Sequence, residues 1–250
     1  MFSSLEKRII AASAAIAVLA SAPVPSGAMH IVEGYLQPAW AVAWGLLSFP
    51  VLTASFITLR RKSRESSGWV TMFLISMAFA LVLSSLKLPS VTGSSSHLTG
   101  VGLGTMLLGP LAMTAVSFLV LLYQALFAGH GGLTTIGANV FAMGIVGPAA
   151  TYFVFKAVNR IAKSQGIAVF SAVFIGNVAA YVMTAYQLAL AHPSDGIVMT
   201  SFIEFFNIFA VTQVSLGVIE GLLSVVAINL VKSLNFGEPA RLGTNRVMME

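Results

Sequence analysis

The sequence predicts an all-α integral membrane protein of about seven transmembrane helices behind a cleaved signal peptide. Three observations predict it. Of 250 residues, 57% are hydrophobic and only 8% are charged, against roughly 25% charged in a soluble domain. So few charges cannot cover a water-facing surface. The apolar residues fall into separate long runs, at about 39–59, 69–86, 101–127, 136–156, 166–191 and 200–231. The basic residues collect at the ends of those runs, so the net charge of +5 reads as membrane orientation rather than nucleic-acid binding.

The first segment is too short to span. Lys7 and Arg8 precede an apolar stretch from Ile9 to Leu19, followed by "ASAPVPSGA". A span needs about 20 residues, so this is the pattern of a secretory signal. Cuts after Ala22 and after Ala28 both satisfy the small-x-small rule. The second assigns 1–28 to the signal and 29–250 to one polytopic membrane domain, with Met29 as the mature terminus.

Orientation follows from the bases. "RRKSRE", Arg60 to Glu65, carries four basic residues directly after the first run, which places that loop in the cytoplasm. The next run returns outward, so the loop from Lys87 to Gly100, with His97, lies on the face of Met29 and His30. Lys156, Arg160 and Lys163 mark another cytoplasmic loop, "HPSDG" at 192–196 an external one, and Lys232, Arg241 and Arg246 a cytoplasmic C-terminus. Between His97 and Lys156 two runs occur where orientation requires an odd number. Splitting 98–127 at Gly109-Pro110 into a short and a long pass restores parity and places the His130 loop outside. The alternative gives up the cytoplasmic assignment of 156–163. A backbone break at membrane depth is tolerated where it is buried or lines a cavity.

The candidate chemistry is nitrogen ligation. Cysteine is absent, which excludes thiolate metal sites and cysteine nucleophiles. The four histidines are His30, His97, His130 and His192. If Met29 is the terminus, its α-amine, the His30 amide and the His30 imidazole offer three nitrogens from two residues. The His97 imidazole would complete a square, a geometry suited to Ni(II) or Cu(II) and one into which Co(II) can be forced. His130 sits in a glycine-rich turn, and Glu33, His130 and Asn139 are candidates for supporting the ligands from behind. His192 reads as an interfacial hydrogen-bonding residue. Ser94, Ser95 and Ser96 before His97 raise a distant rival, an intramembrane serine hydrolase with His130 as base. Glu220, inside the last run, needs a polar partner or an interface. Ala39 and Ala43 at the start of the first span, and likewise Ala41 and Gly45, are spaced to let another helix approach closely. No G-x-x-x-x-G-K-[ST] loop occurs, so ATP-driven transport would need its motor on another chain.

Three blocks, "MHIVEGYL" (29–36), "LKLPSVTGSSSHLTGVGLGTMLLGP" (86–110) and "GHGGLTTIGANVFAMGIVGP" (129–148), resemble the CbiM/NikM family. These are the substrate-binding membrane subunits of energy-coupling-factor (ECF) type cobalt and nickel ABC importers. The resemblance implies seven helices, cleavage before Met29, and a metal held by the Met29 amine, the His30 amide and imidazole, and the His97 imidazole. It implies as partners a transmembrane coupling subunit, a pair of ATP-binding cassette subunits and often a small accessory membrane subunit, with Ala39 and Ala43 docking onto the coupling subunit. It further implies residence in the cytoplasmic (inner) membrane, Co(2+) as transported substrate and no organic cofactor. Family members often carry cysteine and proline where this chain has Ser95 and Leu98, neither a carried-over ligand. "EGYL" and "KLPSVTG" resemble the cobalt branch more than the nickel branch, whose substrate would be Ni(2+).

Overall fold

The computed structural model describes residues 30–89, 95–162 and 164–233. The signal segment, Met29, Ser94, Lys163, Arg241 and Arg246 lie outside the described residues.

The chain runs α1 (Pro38–Glu65), α2 (Ser67–Ser85), β1 (Lys87–Pro89), β2 (Ser95–His97), α3 (Val101–Leu108), α4 (Pro110–Phe127), α5 (Ile136–Ile161), α6 (Gln165–Ala191) and α7 (Val198–Ser233). Six of these helices are long and apolar enough to cross a membrane among the described residues. The seventh, α3, has eight residues and rises only about 12 Å. It is the short pass expected at Gly109-Pro110.

Local chemistry explains the boundaries. Pro38 opens α1 at its first turn, where a missing N–H costs nothing. The same helix outruns the apolar stretch because Glu65 pairs with Arg61 and Lys62 one turn back; the basic stretch is thus helical rather than a loop. Ser66 is extended and its hydroxyl accepts the Trp69 N–H at 3.3 Å, which starts α2. Pro110 disfavours helical backbone at the preceding residue, so α3 stops at Gly109 and α4 begins afresh. Within α5, residues Val140–Val146 widen into a π-helical stretch, and Thr114 Oγ1 donates to the Gly144 carbonyl at 2.7 Å there. Such bulges frequently accompany functional sites.

The helices alternate direction, so the molecule has two chemically different ends. Ser48 on α1 donates to the Gly137 carbonyl at the start of α5, and His192 beyond α6 donates to the Tyr35 carbonyl at 2.9 Å. That end holds all four histidines. At the other end lie Arg60, Arg61, Lys62, Arg64, Lys156, Arg160 and Lys232, the last donating to the Gln165 side chain at the start of α6. The Lys156 and Arg60 segments therefore share an end, as the split at Gly109-Pro110 requires.

Two packing features matter for the site. One is the return of the chain from β2 into α3, which passes under α2. A Cβ on Gly100 would lie 2.5 Å from the Ala80 Cα, and Gly100 has φ +68°. Only glycine fits both demands. Gly100→Ala is expected to destabilise by about 2–4 kcal/mol through steric overlap and left-handed strain, read as a lowered thermal midpoint in detergent. The other feature is the contact of α5 with α1, where a Cβ on Gly137 would lie 2.5 Å from the Gly45 Cα. Gly45 thus serves internal packing, while Ala39 is exposed.

The α3 helix is buried from Val101 to Leu107. Leu103, Met106 and Leu107 join Met72, Phe155, Val173 and Ile228 in the core of the basic end. Ile31, Leu36, Trp44, Ala138, Leu188 and Ala191 form a smaller core at the histidine end. Exposed Val42, Leu46, Phe49 and Val226 are what a lipid-facing surface carries, since lipid tails exact no cost for apolar side chains.

Candidate metal centre

Three segments converge at the histidine end. The N-terminal segment brings His30, β2 brings His97, and the loop between α4 and α5 brings His130. Their ring centroids lie 4.4 Å (His30–His97), 4.7 Å (His30–His130) and 4.9 Å (His97–His130) apart. One nitrogen from each lies within 4.8 Å of the others, and all three rings are buried.

Each segment is pinned by its own sequence. Ile31, directly after His30, donates its N–H to Asn139 Oδ1 at 2.9 Å. Its carbonyl accepts from Asn139 Nδ2 at 3.0 Å and from Thr135 Oγ1 at 2.6 Å. Asn139 and Thr135 therefore hold the His30 backbone from the start of α5. The Glu33 carboxylate accepts the N–H groups of Leu133 and Thr134. Glu33 thus ties the N-terminal segment to the His130 loop rather than bonding an imidazole, and the Thr134 side chain, followed by these backbone bonds, holds its carboxyl below the usual range. The His130 N–H donates to the Gln124 carbonyl at 3.1 Å, closing α4. His97 faces Lys87 across the β1–β2 hairpin.

The protonation states suit cation binding. His97 Nδ1–H donates to the Leu98 carbonyl at 2.8 Å, because a carbonyl can only accept. The lone pair is then on Nε2, the tautomer of a metal ligand. The Nε2 atoms of His30, His97 and His130 are all buried without a hydrogen-bond partner. Three such orphans at one point are unusual in a folded interior and match what a cation accepting three lone pairs would satisfy.

Burial, chiefly, keeps these rings neutral. It pushes His97 down to about 4 and His130 down to about 2, and Lys87 adds to the effect on both. His30 is lowered well below its ordinary value by burial and then by the two neighbouring rings. An unfolded histidine takes its proton near pH 6.5. Below that pH the unfolded chain therefore binds protons that the folded chain refuses, and stability falls as pH is lowered. The metal-free protein is expected to lose thermal stability progressively below about pH 6.5, by up to about 1.4 kcal/mol per pH unit for each histidine. Thermal midpoints between pH 7.5 and 5 check this.

The structure brings together two of the expected ligands, His30 and His97, and adds His130 on equal terms where it was expected behind them. His192 stands apart against Tyr35, with ring centroids at 4.7 Å. Ser96 pairs its hydroxyl with Thr212 at 2.9 Å rather than with His130. Glu220, fully buried, receives Thr99, Gly100 and Asn177. Sequence spacing gave no sign of that knot, whose partners are about 120 and 43 residues away.

A polytopic helical membrane protein with a buried three-imidazole cluster at one end has the fold and site of a metal-transporter membrane subunit. The family description "Cobalt uptake substrate-specific transmembrane region", CbiM, matches residues 30–236. The chain belongs to the CbiM family, and is a transporter component rather than an enzyme. It is 46% identical over 228 residues to the cobalt transport protein CbiM of Ruminiclostridium cellulolyticum, covering 91% of this chain and 92% of that one. It is 49% identical over 210 residues to the cobalt transport protein CbiM of Kyrpidia tusciae, covering 84% and 85%. A crystal structure described as a truncated transition metal transporter superposes with a TM-score of 0.71 at 25% identity, covering 82% of this chain and 98% of that one.

Proposed function

We propose that this chain is the substrate-specific membrane subunit of an ECF-type ABC importer of Co(2+). It captures the ion on the outer face with the mature Met29 terminus, His30 and His97. The observation that carries the reading is the convergence of buried, unpartnered imidazole Nε2 atoms from segments about 67 and 33 residues apart at one end of the bundle, within 4.8 Å. Neutral nitrogen donors suit a first-row divalent ion. The names of the relatives favour cobalt over nickel.

The basic end faces the cytoplasm of the inner membrane by the positive-inside rule. ATP hydrolysis is supplied by ATP-binding cassette subunits through a transmembrane coupling subunit, with a small accessory membrane subunit as a further partner. Exposed Ala39, with Ala43 one turn on, offers the coupling subunit a close approach on α1. Release requires the Met29-His30 segment or the His97 hairpin to move away from the cluster.

A second reading of the donor set is favoured by His130. A chelate of the Met29 amine and the His30 amide engages the near nitrogen of the His30 ring, whereas the unpartnered atom is Nε2. Three Nε2 donors with an open fourth position instead suit a tetrahedral ion.

The intact mass of the protein purified from its native membrane tests the reading. A mass beginning at Met29, with one Co(2+) bound per chain and displaced poorly by Ni(2+), is the expected result. A start at Pro23 or Met1 buries the amine in a peptide bond and removes the chelate; preferential Ni(2+) binding moves the chain to the nickel branch.

A further inference from the structure

The backbone between β2 and α3 lies inside the bundle without helical hydrogen bonds of its own. Leu98, Thr99 and Gly100 are all buried, and at such depth every N–H and C=O needs a protein partner. Glu220 on α7 supplies much of that need. Its Oε2 accepts the Thr99 N–H at 2.6 Å and Asn177 Nδ2 at 2.8 Å. Its Oε1 accepts Thr99 Oγ1 at 2.7 Å and the Gly100 N–H at 3.0 Å. Four donors meet two oxygens, which is the pattern of an ionised carboxylate.

The peptide unit that Glu220 grips matters for the metal site. The Leu98 carbonyl and the Thr99 N–H belong to one planar peptide. The carbonyl side accepts His97 Nδ1–H at 2.8 Å, and the N–H side is held by Glu220. The preceding peptide is held from the same direction: Gln213 Nε2 donates to Asn177 Oδ1 at 2.7 Å and reaches the His97 carbonyl at 3.4 Å. Both peptides following the His97 Cα are thus fixed by polar groups on α6 and α7.

We propose that Glu220 is a positioning residue for the metal site, setting the orientation and tautomer of His97 through the Leu98–Thr99 peptide. The proposal rests on the reading of His97 as a ligand. A carboxylate is required because glutamine would offer one acceptor oxygen and turn an NH2 group toward N–H donors. Groups that orient a metal-bound histidine typically change affinity by about 10–100-fold when lost.

The test uses the full chain in detergent, titrated with Co(2+) alone, with thermal midpoints measured beside it. Glu220→Gln is expected to weaken Co(2+) binding by about 10–100-fold and to alter the visible absorption spectrum of the protein at saturating cobalt. Glu220→Asp is expected to recover part of both. A spectrum altered at full occupancy is something a merely structural residue would not produce. If Glu220→Gln does not accumulate folded, Asn177→Ala, which removes one of the four donors, is read instead, with a smaller change in the same direction. A folded variant with unchanged affinity and spectrum overturns the proposal. His97→Ala separates the failures: if it binds cobalt normally the ligand reading falls, and if it loses binding while Glu220→Gln does not, only the positioning role falls.

Discussion

His97→Ala is expected to weaken Co(2+) binding by more than about 100-fold, beyond the 10–100-fold that loss of a supporting group costs. The imidazole is fully buried, its Nδ1–H is committed to the Leu98 carbonyl, and its Nε2 has no partner other than the point shared with His30 and His130. Alanine removes the donor and leaves the unpartnered Nε2 atoms of His30 and His130 facing a void, where a water that enters is a weaker and less fixed ligand than the lost imidazole. The backbone of the hairpin keeps its Glu220 and Gln213 contacts, so the fold should survive and equilibrium dialysis can isolate the ligand effect. His130→Ala measured in parallel distinguishes the two donor sets. A loss comparable to that of His97→Ala supports three imidazoles around the ion, and a loss of about tenfold or less leaves His130 as a supporting group.

A single alanine inserted ahead of Met29 is expected to cost nearly as much. The added residue converts the Met29 amine to an amide, which surrenders its proton to a metal far less readily than an α-amine with a pKa near 7.7–8.0. The new terminal amine is displaced by one residue from the imidazole. The Ile31 backbone, held by Asn139 and Thr135 at 2.6–3.0 Å, leaves the segment no slack to slide back. Isothermal titration with Co(2+) and mass spectrometry of the same preparation check it. Unchanged affinity with the extra residue present would dissociate the terminus from the site and favour the all-imidazole set.

Much of this architecture was legible because membrane helices declare themselves by apolar length. The runs located the crossing helices, and the orientation rule, if kept for the 156–163 loop as well, called for the break at Gly109-Pro110, where the chain turns with φ +87° at Gly109. The boundaries erred where charge continued a helix: α1 keeps Arg60 to Glu65 because those side chains pair along the helix face, and α5 carries Lys156 and Arg160 to Ile161. His30 and His97 could be placed on one face by counting passes, and three sequence blocks pointed to the family by resemblance. Hydrogen bonds across more than a hundred residues could not be counted that way. Asn139 gripping Ile31 and Glu220 gripping Thr99 depend on which helices become neighbours, and no local period encodes that. His130 carried only the hint of its glycine-rich turn, which shows that a backbone can approach a ligand but not that the ring will point at one.

The central claim is that the histidine end of this chain holds Co(2+) through nitrogen. X-ray absorption at the cobalt edge, on the purified full-length mature protein loaded with one equivalent of Co(2+), tests it most directly. A nitrogen-dominated shell with the outer-shell scattering of at least two imidazoles is the predicted result. A shell of oxygen atoms alone, or one without imidazole scattering, would place the ion away from His30, His97 and His130 and contradict the account.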